Sequence, residues 1–376
     1  MRVAIDLTAL NAKPSGIDRY LVGMVRSLAR LEHGAEFFLF INAEDRARFT
    51  GPNRLTAHCH VLSCCFRSRI IRLLFQQLLQ PLLLYLLRID VLHSPTFIMP
   101  AWRGRARHVL TIHDMSSFVM PQCHPPIRRG PIYERVVRQS IRCADIVTVP
   151  SLSVKTDILR FVSDICEARV RVIPCGIDDA FHPRDPAEVA TVLQRLGIPT
   201  PYVLYLGTLD PRKNLPTLID AFAEIIAEGR TEHLVLGGDA GWSPNELLSC
   251  IARNELRGQI HFPGYIAEAD LPLVYAGATL FVYPSLLEGF GFPPLEAMAT
   301  GVPVVASDTS SLRENLADAA TLVPANDSAQ LAAAMRTLLT DKAARMSAVE
   351  AGLKRSQLYR WDQFATKTFA CYEEVL

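Results

Sequence analysis

The sequence predicts an α/β protein of two parallel-sheet domains. Three observations carry this. Short runs rich in Val, Ile, Phe and Tyr alternate with amphipathic helical stretches along most of the chain. Both halves open in the same order, with a strand, a glycine-bearing loop and a helix. Prolines at 183, 186, 199 and 201 crowd the region between the halves, and a fresh strand, "YVLYLG", begins just after them. A chain of 376 residues is long for one domain and comfortable for two.

In order, "RVAIDLTAL" reads as a strand. "SGIDRYLVGMVRSLARL" follows as a helix, with Ile17, Tyr20, Leu21, Met24, Leu28 and Leu31 on one face. "HVLTIHD", "ADIVTVPS" and "RVRVIPCG" are further strands. Asp185-Pro186-Ala187-Glu188 has the form of a helix start: a capping carboxylate, proline at the first position and glutamate at the third. The expected domains are therefore 1–184 and 185–357. The last stretch, 358–376, is expected to be a helix with Leu358, Trp361, Phe364, Phe369 and Tyr372 as its apolar members; its simplest place is against the second domain.

Composition excludes several classes. With 49% hydrophobic and 20% charged residues the chain is core-forming rather than disordered. Its N-terminus already reads as a strand, so no secretory signal is expected. The nine cysteines are odd in number and contain no C-x-x-C, which suits free thiols in a reducing cytosol. "HCH" at 58–60, with Cys64 and Cys65, matches no common zinc spacing, so no metal site is expected. Net charge is only +1, but residues 1–180 hold 24 Lys/Arg against 15 Asp/Glu, and the remainder 15 against 23. From Arg46 to Arg107 there are ten Arg and one acid, Asp90. This points to an anionic surface as a partner of the first domain; no nucleic-acid partner is expected. The Leu-rich stretch 66–92 carries Arg67, Arg69, Arg72 and Arg88 and is interrupted by Gln76, Gln77, Gln80 and Pro81, which argues against a spanning helix. It reads either as a buried helix pair or as a face lying on a membrane.

Two stretches carry chemistry. In "YLGTLDPRKNLPTLIDAF" a strand ends at Gly207, a loop bears Arg212 and Lys213, and a helix opens near Asn214. Two cations beside a helix N-terminus favour an anion, here a diphosphate. In "LLEGFGFPPLEAMATGVPVVAS" Glu288 sits on a loop beyond a strand, and Glu296 lies near the start of a helix whose first turn accepts Pro293 and Pro294. In open parallel sheets that is where ligands bind. In the first domain, Gly16 follows the first strand and offers close backbone approach to a phosphate. His113, next to Asp114 at a strand's carboxyl end, is a further candidate.

Taken with "GTLDPRKNL", "GYIAEADLPLVYAGATLFVYPS", "GVPVVASD" and "RVIPCGID", the Glu–seven residues–Glu spacing of "EGFGFPPLE" resembles the retaining glycosyltransferases of family 4. "SGIDRYL" and "VLHSP…TIHD" are similar to its bacterial GDP-mannose-dependent mannosyltransferases. The resemblance implies a GT-B fold, two Rossmann-like domains facing a central cleft, with the acceptor on the first and the donor on the second. It implies that the C-terminal helix crosses back to the first domain. It also implies that Arg212 and Lys213 hold the donor diphosphate, and that Glu288 contacts the donor sugar at the reacting centre. Phe290, Gly291 and Phe292 would then offer backbone N–H groups, and Glu296 would take the ribose hydroxyls. The expected donor is GDP-mannose, with no cofactor and no metal. The acceptor would be lipid-linked or an oligosaccharide, in lipopolysaccharide or exopolysaccharide synthesis. The protein would be cytoplasmic, peripheral on the inner face of the cytoplasmic membrane. A glycosidase would also use two carboxylates, but it leaves Arg212 and Lys213 unexplained. A nucleotide-sugar 2-epimerase and a catalytically silent membrane-bound partner protein stay open as alternatives.

Overall fold

The computed structural model describes residues 1–376 except 12–14, 33, 50–57, 65–67, 103, 126–127, 129, 240–243 and 257. The chain divides into two units, one formed by Met1–Gly176 with Arg360–Leu376, the other by Ile177–Tyr359. Proline content alone puts the division at 184/185; packing puts it at Gly176/Ile177. The intervening residues are already tied to the second unit, since Ile177 N–H donates to the Tyr359 carbonyl at 2.9 Å and the Phe181 ring meets Tyr275 edge-on at 5.7 Å.

The first unit holds strands β1 (Arg2–Asp6), β2 (Glu36–Asn42), β3 (Cys59–Cys64), β4 (Val91–Ser94), β5 (Arg107–Thr111), β6 (Ile146–Val149) and β7 (Val170–Val172), in the spatial order β3-β2-β1-β4-β5-β6-β7. The second holds β8 (Tyr202–Leu206), β9 (His233–Gly237), β10 (Ile260–Gly264), β11 (Leu280–Tyr283), β12 (Val304–Ser307) and β13 (Thr321–Val323), in the order β10-β9-β8-β11-β12-β13. All pairings in both sheets are parallel. The order of strands reverses between β1 and β4 and again between β8 and β11. Each reversal opens a crevice at the carboxyl ends of those strands, the usual ligand position in a doubly wound sheet.

Burial follows from the layers. Val3, Ala4, Val203 and Leu204 are fully enclosed, as strands covered on both faces by helices must be. The helix Gly16–Arg30 buries Tyr20, Leu21, Met24 and Leu28, whereas Ile17, near its start, and Leu31, just past its end, are only half-buried. Asp185 caps the helix Pro186–Leu196 by accepting from Ala187 N–H at 2.7 Å.

The C-terminal helix Trp361–Glu374 belongs to the first unit. The Trp361 indole lies where a side chain on Gly23 would stand, and the Trp361 backbone and Cγ lie where one on Gly176 would, so both positions require glycine. Phe364 meets Tyr20 edge-on at 5.4 Å, and the Tyr372 hydroxyl is 2.6 Å from His93 Nδ1. Leu358 lies outside this helix and is exposed.

The Leu-rich stretch is not the buried helix pair that one of its two readings expects. Helix Arg69–Leu74, a π-type turn Phe75–Leu79 and helix Gln80–Leu86 form one continuous run. Gln76 and Gln80 are buried while Ile70, Leu78 and Leu86 are exposed. Arg67 lies outside the described residues, as does the Arg69 side chain. No helix among the described residues is long and apolar enough to cross a membrane.

Candidate functional site

The β8/β11 crevice gathers three of the charged residues singled out in the second half, Arg212, Lys213 and Glu288. After β8 the chain passes Gly207, and a tight turn, Pro211–Lys213, leads into the helix Leu215–Ala227. Asp210 organises this turn by accepting from Arg212 N–H at 3.1 Å. Asn214 is left-handed (φ 55°) and donates to the carbonyls of Pro284 (3.2 Å) and Ala325 (2.6 Å). The turn is thereby pinned to the loop after β11, and Leu286 N–H closes the contact on the Arg212 carbonyl at 2.9 Å.

That loop brings Glu288 onto both cations. Lys213 Nζ is 2.5 Å from Glu288 Oε1 and 2.9 Å from the Tyr283 hydroxyl; Arg212 Nη1 is 3.6 Å from Glu288 Oε2 and donates to the Leu287 carbonyl at 2.9 Å. Ser285 Oγ adds a 2.6 Å hydrogen bond to Glu288 Oε1. Lys213 is 7% and Glu288 8% exposed, so the pair is nearly enclosed. Burial alone pushes the Glu288 pKa up, but Lys213, Arg212 and the Ser285 hydroxyl outweigh it and hold the carboxyl below its ordinary value. Burial, reinforced by the Glu288 charge, raises the Tyr283 phenol well above its ordinary value, so it stays neutral. Two cations and one carboxylate leave this cluster net positive, and the helix Leu215–Ala227 adds its positive end. Such a charge balance favours an anion.

The second carboxylate sits apart. Glu296 lies in the helix Phe292–Ala299, is 2% exposed, and accepts from the Tyr275 hydroxyl at 2.8 Å. Gly291 enters that helix with φ 91°, and a Cβ there would collide with Leu312. Phe290 is buried and its carbonyl accepts from Asn315 Nδ2 at 2.7 Å; its ring meets Phe292 edge-on at 4.9 Å. Gly207 (φ 154°) packs so closely on Gly238 that a Cβ on Gly238 would overlap the Gly207 carbonyl.

Gly16 and His113 belong to the first unit and are described there. Gly16 is the first residue of its helix, preceded by a capping box in which Ser15 N–H donates to Asp18 at 2.8 Å. His113 Nε2 bonds the Pro95 carbonyl at 2.7 Å, and its ring packs edge-on against Tyr20 at 4.6 Å. Burial lowers its pKa, with Asp114 opposing. Since a carbonyl only accepts, Nε2 carries the proton.

Sequence reasoning missed Tyr283, Ser285, Asn214, Tyr275 and Ser310. Ser310 Oγ accepts from Glu288 N–H at 2.9 Å from a residue with φ 42°, and Ser311 Oγ donates to the Glu288 carbonyl at 3.0 Å. Only Ser285 carried a signal, a hydroxyl three residues before Glu288 in the loop. A groove bordered by Thr279, Gly301, Pro303 and Arg345 lies at the opposite, amino-terminal edge of β11 and β12, away from this chemistry. Among the described residues, no three His, Cys, Asp or Glu side chains form a metal-binding group; Cys65 lies outside those residues.

Known proteins fit this geometry. The pattern for "Glycosyl transferases group 1" matches residues 194–355, and that for "Glycosyltransferase Family 4" matches residues 14–181. The O-antigen chain mannosyltransferase B of Escherichia coli is 32% identical over 387 residues, spanning 99% of this chain and 100% of that one. Among solved structures, sucrose-phosphate synthase from Thermosynechococcus elongatus superposes with a TM-score of 0.79 at 24% identity, covering 99% of this chain and 98% of that one. Anabaena HepE, in complex with UDP-glucose, gives 0.77 at 19% identity, covering 99% and 100%. Two doubly wound parallel sheets in one chain, with these structural neighbours, define the GT-B fold. The chain belongs to glycosyltransferase family 4.

Proposed function

We propose that the protein is a retaining mannosyltransferase. It takes mannose from GDP-mannose and passes it to a lipid-linked or oligosaccharide acceptor in the assembly of a bacterial surface polysaccharide, at the inner face of the cytoplasmic membrane. The observation that carries the reading is the Lys213–Glu288–Arg212 cluster at the β8/β11 crevice, a net positive site built around one buried carboxylate. The full-length similarity to an O-antigen mannosyltransferase supports the sugar and the type of product.

In this reading Arg212 and Lys213 take the donor diphosphate and neutralise the charge that grows on it as the glycosidic bond breaks, without a metal. Glu288 turns toward the sugar and orients it. Phe290, Gly291 and Phe292 present backbone N–H groups, and Glu296, steadied by Tyr275, receives the ribose. The acceptor hydroxyl attacks from the face the diphosphate leaves, and the diphosphate takes its proton, so configuration is retained. In the first unit, Gly16 offers its backbone to a donor phosphate and His113 serves the reaction as a catalytic group.

A thermal-shift screen of nucleoside diphosphates and nucleotide sugars tests the donor. The true donor stabilises the fold by RT ln(1 + [L]/Kd), about 2.7 kcal/mol at a hundredfold excess over Kd. GDP and GDP-mannose are expected to shift the melting temperature more than UDP or UDP-glucose; the reverse order overturns the donor. Sugar turnover that needs no acceptor would indicate an epimerase instead.

A further inference from the structure

The helical run 69–86 is built inside out. Its polar side chains face the protein: Gln76 and Gln80 donate to Asp6 Oδ2 at 2.8 and 3.1 Å, and Gln77 Oε1 accepts from Ala101 N–H at 2.8 Å. Asp6 is a buried carboxylate at the carboxyl end of β1, and a buried charge needs donors, so the amides are committed inward. Phe75, Pro81 and Leu84 also pack inward, whereas a row of other apolar side chains faces outward. Ile70, Leu74, Leu78, Leu82 and Leu86, at every fourth position, are 72, 53, 64, 47 and 64% exposed. Over 18 helical residues this stripe is roughly 27 Å long. Trp102, 63% exposed, stands one residue from the Ala101–Gln77 hydrogen bond, so it flanks the same stripe. A surface helix normally shows the opposite arrangement, and an exposed apolar patch of this extent marks a contact surface.

Charge decides what covers it. No Asp or Glu occurs between Asp45 and Asp90. Arg72 lies within the run, Arg88 is exposed just past its end, and Arg105 is exposed three residues after Trp102. A second copy docked through the same face would bring arginine against arginine, which costs affinity. An anionic lipid surface supplies both an apolar phase for the leucines and phosphates for the arginines.

We propose that the run 69–86 lies in the plane of an anionic lipid leaflet, its leucine stripe among the acyl chains and Trp102 and Tyr85 at the headgroup level. Interfacial aromatic residues with one apolar and one wet end suit that depth. The proposal needs neither the donor nor the reaction. The Gln76 and Gln80 bonds to Asp6 hold the inserted run beside the β1/β4 crevice of the first unit; that this helps present a lipid-linked acceptor rests on the function proposed above.

Vesicle co-sedimentation with phosphatidylglycerol–phosphatidylcholine mixtures, compared with phosphatidylcholine alone, tests it. The substitutions are Leu74→Gln, Leu78→Gln and Leu82→Gln together, all on exposed positions. The wild type should bind the anionic vesicles, and the triple variant should lose on the order of a hundredfold in partition. High salt should weaken wild-type binding without abolishing it. Lipids brominated on the acyl chain should quench the wild-type tryptophan fluorescence more than that of Trp102→Phe, a readout that holds even if the triple variant folds poorly. Equal partition of the wild type and a folded triple variant would overturn the proposal. So would complete release by salt, or a lipid-free dimer that the three substitutions dissociate. Donor binding measured without vesicles should be the same in all forms, which separates this test from that of the donor site.

Discussion

Lys213 Nζ and Glu288 Oε1 lie 2.5 Å apart at the β8/β11 crevice, both nearly enclosed, with Arg212 Nη1 3.6 Å from the other carboxylate oxygen. The residues that fit a diphosphate are therefore already paired with the residue that fits the sugar. Removing one partner of a buried ion pair strands the other charge, at a cost of about 3–5 kcal/mol. Lys213→Ala should lower the melting temperature of the protein as well as its activity. The double variant Lys213→Met/Glu288→Gln should recover most of the stability and none of the activity. Thermal unfolding read beside donor turnover checks both; a double variant as unstable as Lys213→Ala would mean the pair is not what holds this loop.

The same pairing sets the nucleotide affinity of carboxylate variants. In Glu288→Gln the negative charge that competes for Lys213 and Arg212 is gone. A nucleoside diphosphate should bind that variant as well as or more tightly than the wild type, while kcat falls strongly. Glu296→Gln should instead weaken the nucleoside diphosphate on the order of tenfold, the worth of about one charge-assisted hydrogen bond. Tyr275→Phe, which removes the 2.8 Å bond to Glu296, should produce part of that loss. Titration calorimetry with GDP reads all three; equal losses in Glu288→Gln and Glu296→Gln would exchange or merge the roles assigned to them.

How much of this was legible in the sequence depends on the range of the interaction. Strands such as "YVLYL" and "LFVY" announce themselves because parallel strands buried on both faces must be apolar throughout. The loop bearing Arg212 and Lys213 could be placed because strand and helix signals bracket it. The contacts of Tyr283 and Ser285 with that loop could not, since they exist only once β8 and β11 are neighbours across 70 or more residues. The Leu-rich run stays ambiguous in the sequence for a related reason. Its composition promises burial, but the buried acceptor Asp6 lies 70 and 74 residues from Gln76 and Gln80 and claims the inner face for amides. The proline-rich stretch likewise hides the fact that Ile177 and Phe181 already pack within the second unit.

Trp361 packs against two glycines of the first unit, its indole on Gly23 and its backbone with Cγ on Gly176. Gly23 lies within the helix Gly16–Arg30 and Gly176 just after β7, and neither has room for a methyl group. Gly23→Ala should therefore destabilise although alanine is the better helix former, because overpacking costs about 1–3 kcal/mol. Trp361→Ala should destabilise too, by less than the roughly 3–5 kcal/mol of a fully buried tryptophan, because Trp361 is only half-buried. Chemical denaturation of the single variants measures each. A Gly23→Ala protein more stable than the wild type would show that the indole yields.

His93 gives the first unit a predictable acid limit. The ring is fully enclosed between the Tyr372 hydroxyl at 2.6 Å and the Thr111 hydroxyl at 2.8 Å, and Thr111 is in turn 2.8 Å from Thr148 and 3.1 Å from Tyr20. Burial, with a smaller contribution from His113, lowers its pKa from 6.5 to about 3. The neutral ring is thus favoured in the folded state, and the unfolded chain binds the proton first. Stability from this group is complete above the unfolded value of 6.5 and is lost as pH falls from there toward about 3, at about 1.4 kcal/mol per pH unit. His113, lowered in the same direction, adds to the slope. Glu288, whose pKa is also depressed, contributes only below its ordinary value of 4.5, so the onset belongs to the histidines. Melting temperatures measured from pH 7 to pH 5 should fall for the wild type and fall less steeply for His93→Gln, whose amide keeps hydrogen-bonding capacity without a titrating proton. Parallel slopes in the two proteins would remove His93 from the acid response.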